Sequence, residues 1–475
     1  MRARTTVILA IVLALVIGVS VYVVAVELPS GHSTTASGSP ATCAAPASGT
    51  GNSTVDGNWT TYHGDNSRSG YVPMSAITSV KSEWSGPTDL NGQVYAQPLV
   101  CGDSLYVATE SDSVYAVNAT TGAVEWTTNL GTPVPPSDLA CAGDIDPSGI
   151  TSTPVIDVTT RTLYVVAFLL GASNVSHVLF GLNVTSGAVT FRANADAPGA
   201  VVNAEQQRAG LALEDGYVYV PYGGLYGDCG QYHGWVVGIP IAGSGAVLSY
   251  QVPTMREGAI WGVAGFGIAA NGDLYVATGN GASNTVYDYG DSVIELSPSL
   301  TVLGYFAPTN WVQLNENDQD LGSVAPTVLP DGDVFQIGKE GVGYLLSGTD
   351  LGGIGGQIYN ASVCGGAYGG TARVGDSILV PCDNGLWDLN VGADSFSIAW
   401  QASTSNFDSG SPIVTGNLVW AVNINDADLL GFNLSNGVQA YSFPLAAVDH
   451  FISPAAAPGN LFVAGGNELY AFALG

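Results

Sequence analysis

The sequence predicts an all-β fold: an eight-bladed β-propeller of four-stranded antiparallel blades, closed by an N-terminal strand and preceded by an N-terminal transmembrane helix. Three observations predict the ring. One hairpin signature recurs along the chain, an aromatic residue follows nearly every copy, and the last copy lacks a strand that the N-terminal side can supply.

The unit is clearest in residues 97–130. An extended run ends at the tight-turn pair Gly102-Asp103, and residues 104–109 run back with apolar alternation. Residues 114–118 make a third strand, Thr121-Gly122 turns the chain, and residues 124–127 make a fourth carrying Trp126. Such a sheet cannot bury both faces alone and needs neighbours of its own kind. The hairpin returns at Arg161-Thr162, Asp215-Gly216, Asn271-Gly272, Asp331-Gly332, Gly375-Asp376, Gly416-Asn417 and Gly459-Asn460. With the first that makes eight, spaced about 40 to 60 residues apart as propeller blades are. Trp126, Phe191, Tyr250, Tyr305, Tyr359, Trp400 and Tyr441 mark the fourth strands of the first seven. The eighth reaches Gly475 after its third strand, residues 468–473. Residues 80–84, ahead of the first blade, supply the missing strand, and closing the ring this way removes its exposed edges.

The repeat LYV…VYAVNATTGAVEW, with its turn Gly and docking Trp, resembles that of the quinoprotein (PQQ) dehydrogenase-like propellers. The lead-in Trp59-Thr60-Thr61-Tyr62-His63-Gly64-Asp65 with Gly70-Tyr71 resembles the W-x-x-Y-x-G-D…G-Y opening of those proteins. GITSTPVID, YHGWVVG and DLYVATGNG resemble a subgroup of secreted PQQ-like repeat proteins. The resemblance covers residues 59–475 and implies the fold; the fold carries dehydrogenases and non-enzymes alike, so activity must be argued from the site.

Composition narrows the partners. A formal charge of −29 makes nucleic acid or an anionic membrane surface an unsuitable partner. Only 10% of residues are charged, too few for a halophile, so an exported or acid-tolerant surface protein fits better; Lys81 and Lys339 are the only lysines. In residues 1–27, Arg2 and Arg4 precede an apolar run from Val7 to Val26, long enough to span a bilayer, and the positive-inside rule places the remainder outside the cytoplasm. This predicts a single-pass membrane protein; the alternative is a cleaved signal peptide and secretion. Residues 28–58 read as a flexible Ser/Thr/Gly-rich linker, and residues 59–475 as the propeller. Sequons at Asn52, Asn58, Asn118, Asn174, Asn183, Asn360 and Asn433 are glycosylation candidates in an exported chain, although Asn and Thr also favour such turns for their own sake.

Six cysteines in an exported chain suggest disulfides. In a propeller, the loops entering each inner strand and those joining second to third strands share one face. Cys141 and Cys229 fall there on adjacent blades, and Cys364 and Cys382 within one blade, which pairs them. Cys43 with Cys101 follows by elimination.

The family resemblance implies a funnel on that loop face, with PQQ stacked on a Trp floor and held through calcium. Calcium needs several oxygen ligands. Asn280, in Thr278-Gly279-Asn280, matches the family's calcium-ligating Asn and is the metal and cofactor candidate. Asp318 or Asp320 would fill the place of the base that takes the alcohol proton. The family's calcium Glu is replaced by Cys229, adjacent cysteines are absent, and no C-x-x-C-H haem site occurs. Arg256, Glu257 and Trp261 precede the fourth inner strand and are candidate ligand contacts. The bland alternative is that T-G-N serves turn geometry and the acidic loop is a solvated rim.

Two functions follow. The first is a membrane-anchored surface propeller acting as a binding or scaffold module for an extracellular protein or glycan, with no tight cofactor. The alternative is a divergent PQQ- and calcium-dependent alcohol or sugar dehydrogenase.

Overall fold

In the computed structural model the described residues are 43, 57–87, 90–243, 245–402 and 406–475. The expected transmembrane segment, nearly all of the linker and Asn52 lie outside them. Among the described residues no helix is long and apolar enough to cross a membrane.

Every predicted turn separates two paired strands. In blade 1, Leu99–Cys101 pairs with Ser104–Thr109, then Ser113–Asn118, then Val124–Asn129. Eight sheets repeat this antiparallel order. Blades 2 to 8 have inner strands at Val155–Asp157, Ala212–Glu214, Gly267–Ile268, Thr327–Val328, Ala372–Val374, Ile413–Thr415 and Ala455–Ala457. Val80–Ser85 pairs antiparallel with Glu468–Leu474, from Val80 opposite Leu474 to Ser85 opposite Tyr470, and closes blade 8 as expected. Burial follows the repeat. Second and third strands are buried on both faces, whereas fourth strands such as Val124–Asn129 alternate between exposed and half-buried positions.

One lock recurs between blades. The Trp84 indole donates to the Ala119 carbonyl at 3.0 Å, Trp126 to Val184 at 3.0 Å, and Trp400 to Leu434 at 2.9 Å. Each indole lies against the turn glycine of the next blade. A Cβ on Gly122, Gly187 or Gly437 would meet the ring of Trp84, Trp126 or Trp400 at 2.9, 2.5 and 2.4 Å respectively. The turn thus uses Gly twice, for positive φ (71°, 67° and 67°) and for space beneath the ring. Where the fourth strand carries Phe or Tyr instead, this indole bond is not available.

The lead-in runs through the middle of the ring. Thr60 accepts from Ile156 N in blade 2 at 2.8 Å, and Asn66 from Ile268 N in blade 4 at 3.0 Å. Ser69 accepts from Arg373 N in blade 6, and Gly70 from Val414 N in blade 7, each at 2.7 Å. His63 bonds Thr371 O at 2.9 Å and Ser453 Oγ at 3.1 Å, while Trp59 and Val100 exchange backbone bonds in blade 1. Arg68, 2% exposed, donates to Leu211 O at 2.9 Å and Phe266 O at 3.0 Å. A segment touching so many inner strands can only lie on the ring axis. The central channel is therefore plugged.

The three expected disulfides form: Cys43–Cys101, Cys141–Cys229 and Cys364–Cys382, with Cα separations of 4.9, 6.0 and 6.3 Å. A short helix, Trp311–Glu316, takes in the first two residues of 315–320, which the sequence presents as an acidic loop opening blade 5.

Candidate functional site

Loops that enter inner strands and loops that join second to third strands form a blind funnel of about 730 Å³ on one face. The first kind contributes Arg208, Trp261, Asp318, Asp320, Tyr368 and Phe451; the second contributes Asp228, Asn280 and Lys339. Tyr62 of the plug packs on Val263 and Ala264, just beyond Trp261 in sequence, so the plug underlies the floor.

Lys339 organises one wall. Its Nζ lies 2.7 Å from Asp320 Oδ2 and 3.2 Å from Asp318 Oδ1, and 5.5 Å from the centre of the Trp261 ring. Asp320 Oδ1 accepts from the Asn280 backbone at 2.9 Å, and the Asn280 side-chain amide donates to Asp318 at 2.9 Å. Burial pushes the Asp320 carboxyl up against the pull of Lys339. Burial alone would lower Lys339, but the two carboxylates outweigh it and hold the ammonium above its ordinary value. Behind them Asp291 is 1% exposed; burial and the Asp320 charge push it well up, and its Oδ2 has no hydrogen-bond partner.

The wall beyond Trp261 is aromatic and cationic. Phe451 meets Trp261 (centroids 5.9 Å apart) and Tyr368 (6.2 Å). The Arg208 guanidinium lies 4.6 Å over the Phe451 ring. Its ion-pair partner, Asp144, is 4.0 Å away, beyond hydrogen-bond reach.

Of the sequence candidates, the fold brings Asn280, Asp318, Asp320 and Trp261 together in the funnel wall. Arg256 and Glu257 stand apart from that wall. They pair with each other at 2.9 Å, Arg256 also donates to the Asp228 carbonyl, and the Glu257 backbone bridges Tyr232 and Gly281. They tie neighbouring loops of blades 3 and 4. Sequence reading passed over Lys339, Arg208, Tyr368 and Phe451. The last three sit in the same pre-inner-strand loops that singled out Trp261, and Lys339 was conspicuous as one of two lysines.

Residues 59–143 match the family model of the glucose/ethanol/alcohol dehydrogenase β-propeller domain, PQQ. Residues 59–143 thus carry a PQQ-like repeat, and the chain as a whole folds as an eight-bladed β-propeller. Among solved structures, the quinohemoprotein alcohol dehydrogenase from Comamonas testosteroni superposes with TM-score 0.65 at 16% identity, over 88% of this chain and 80% of that one. A europium-containing methanol dehydrogenase gives 0.67 at 14%, over 88% and 98%. BamB from Moraxella catarrhalis gives 0.55 at 13%, over 84% and 98%. At these identities the likeness shows the fold. A search of curated protein sequences returns no match.

The funnel can be tested against PQQ, the group that the matched family model names. A planar ring suits Trp261, with Arg208 and Lys339 to meet acid groups. Calcium suits it less well. The unpartnered Asn280 Oδ1 is one hard donor, but Asp318 and Asp320 are already neutralised by Lys339, whose ammonium stands where a cation would bridge them. No group of three or more His, Cys, Asp or Glu side chains converges for a metal among the described residues.

Proposed function

We propose that the protein is a membrane-anchored, extracytoplasmic propeller whose loop-face funnel reversibly binds a flat ring bearing acid groups, and that it acts as a binding module without turnover. The observation that carries this is Lys339. Its ammonium holds both carboxylates that could serve as a base and fills the place of the bridging cation. Trp261 provides a stacking surface and Arg208 a guanidinium that can meet a carboxylate. PQQ presents this chemistry in full; a uronate-containing extracellular glycan presents the acid groups on a puckered ring whose C–H face can still lie against Trp261.

The test is a calorimetric and absorbance titration of the purified ectodomain with PQQ, with calcium and with a chelator, beside a dye-linked alcohol assay. Saturable micromolar binding that ignores the chelator, weakens at least tenfold in Trp261→Ala and gives no turnover is expected. Calcium-dependent binding lost in Asn280→Ala, with turnover, would establish the dehydrogenase instead; the buried, unpartnered Asn280 Oδ1 is what favours that second reading. Fractionation of the full chain tests the anchor, which is expected in the membrane pellet and released by detergent.

A further inference from the structure

The funnel contains a side chain that competes with any ring entering it. Phe451 lies in the segment linking blade 7 to blade 8. That segment is pinned at both ends: Leu445 N donates to Ala427 O at 2.8 Å and Ala446 N to Tyr470 Oη at 2.9 Å, while Ile452 O accepts from Ser411 N at 3.0 Å. Ser453 Oγ beyond it is bonded by Gln97 at 2.7 Å and by His63. Residues 447–451 between these pins donate none of the backbone hydrogen bonds that hold the flanking residues.

Phe451 has φ of 66°, a left-handed conformation costly for a bulky side chain. The strain falls on a residue whose ring lines the cavity. There it meets Trp261 and Tyr368, and it takes the face of Arg208. These are the surfaces that would receive a ligand ring. The other blades' entering loops bring Trp261 and Tyr368 to the funnel without positive φ. Phe451 is thus held by surrounding contacts against its local preference, on a short span with fixed ends.

We propose that residues 447–451 form a strap that gates the funnel, with the Phe451 ring tilted against Trp261 and restricting access to it until a ligand displaces the strap. Opening relaxes the backbone of residue 451 and exposes the Trp261 face and the Arg208 guanidinium together. The ligand class rests on the reading above; the gate itself does not.

Two measurements separate them. The first needs no ligand. Acrylamide quenching is recorded for the wild type and Phe451→Ala, each with and without Trp261→Phe, so that the Trp261 contribution is obtained by difference. A gate predicts that this contribution is quenched at least threefold more strongly once Phe451 is removed. Equal quenching overturns the gate whatever the funnel binds. The second is stopped-flow binding of PQQ. If the open form is a tenth of the population, removing the Phe451 ring tightens apparent affinity about tenfold. That gain is expected in the association rate. Equal or weaker binding by Phe451→Ala makes Phe451 a wall of the site and overturns the gate while leaving the funnel reading intact. Increased quenching with no PQQ binding by either protein supports the gate and overturns the ligand class.

Discussion

Lys339 is the residue on which the chemistry of the funnel turns, because one ammonium serves two carboxylates. Lys339→Met leaves Asp320, 7% exposed, without its counter-charge. Breaking a buried pair by removing one partner costs roughly 3–5 kcal/mol. Since Lys339 is itself partly exposed, chemical denaturation should show a loss at or below the low end, about 3 kcal/mol. Lys339→Met with Asp320→Asn should recover part of it; a double variant no better than the single one would mean that the pair is not coupled. Asp318 is mostly exposed, so Asp318→Asn should change stability little, within about 0.5 kcal/mol.

At the scale of the strand and turn, the indole lock makes a graded prediction. Gly187 and Gly216 both have positive φ, 67° and 77°, so replacing either by Ala costs the same kind of backbone strain. Only at Gly187 would the new methyl strike the Trp126 ring, at 2.5 Å; Gly216 opens on empty space. Gly187→Ala should therefore lower stability by about 1–3 kcal/mol more than Gly216→Ala in urea unfolding. Equal losses would show that the indole yields freely. These turns were legible in the sequence because Gly, Asn and Asp are the residues that tolerate left-handed geometry, and their recurrence fixed the blade count. The helix Trp311–Glu316 was not, since six residues carry too little periodicity to distinguish a turn of helix from a loop. Sequons at Asn118 and Asn183 sit in the repeat turn itself, where the side-chain oxygens accept from Thr120 N and Thr121 N, and from Thr185 N and Ser186 N. Asn174 and Asn360 lie exposed outside it and are the stronger glycosylation candidates.

For the whole molecule, buried carboxylates set a pH preference. Burial pushes Asp112 and Glu205 up to about 8, Glu110 to about 7, and Asp388 and Asp449 to about 6. Each folded-state value lies above the ordinary range near 4, so the folded chain holds protons that the unfolded chain gives up. Their contribution is fully present below about pH 4 and is lost as pH rises through 6 to 8. The net charge of −29 adds self-repulsion in the same direction. Tm should be several degrees higher at pH 5 than at pH 8.5, and Asp112→Asn should flatten the upper part of that slope. A Tm that rises with pH would refute the account. Ring assembly also explains what the sequence hid about the site. Arg208, Lys339 and Phe451 stand far apart in the chain with no motif among them, and only closure of eight sheets makes them neighbours.

The plug and the closing strand together place the earliest-made part of the propeller in contact with the latest. Residues 59–85 bond to blades 6, 7 and 8, with Val80 opposite Leu474. During synthesis the first residues of that stretch can pair with blades 1 and 2 early, but Ser69, Gly70 and the closing strand must wait while nearly the whole ring is made. Contacts so distant in sequence slow folding and leave strand edges exposed meanwhile. A nascent chain lacking blade 8 should therefore be protease-sensitive, its N-terminal strand an adhesive edge until the last blade arrives to cover it.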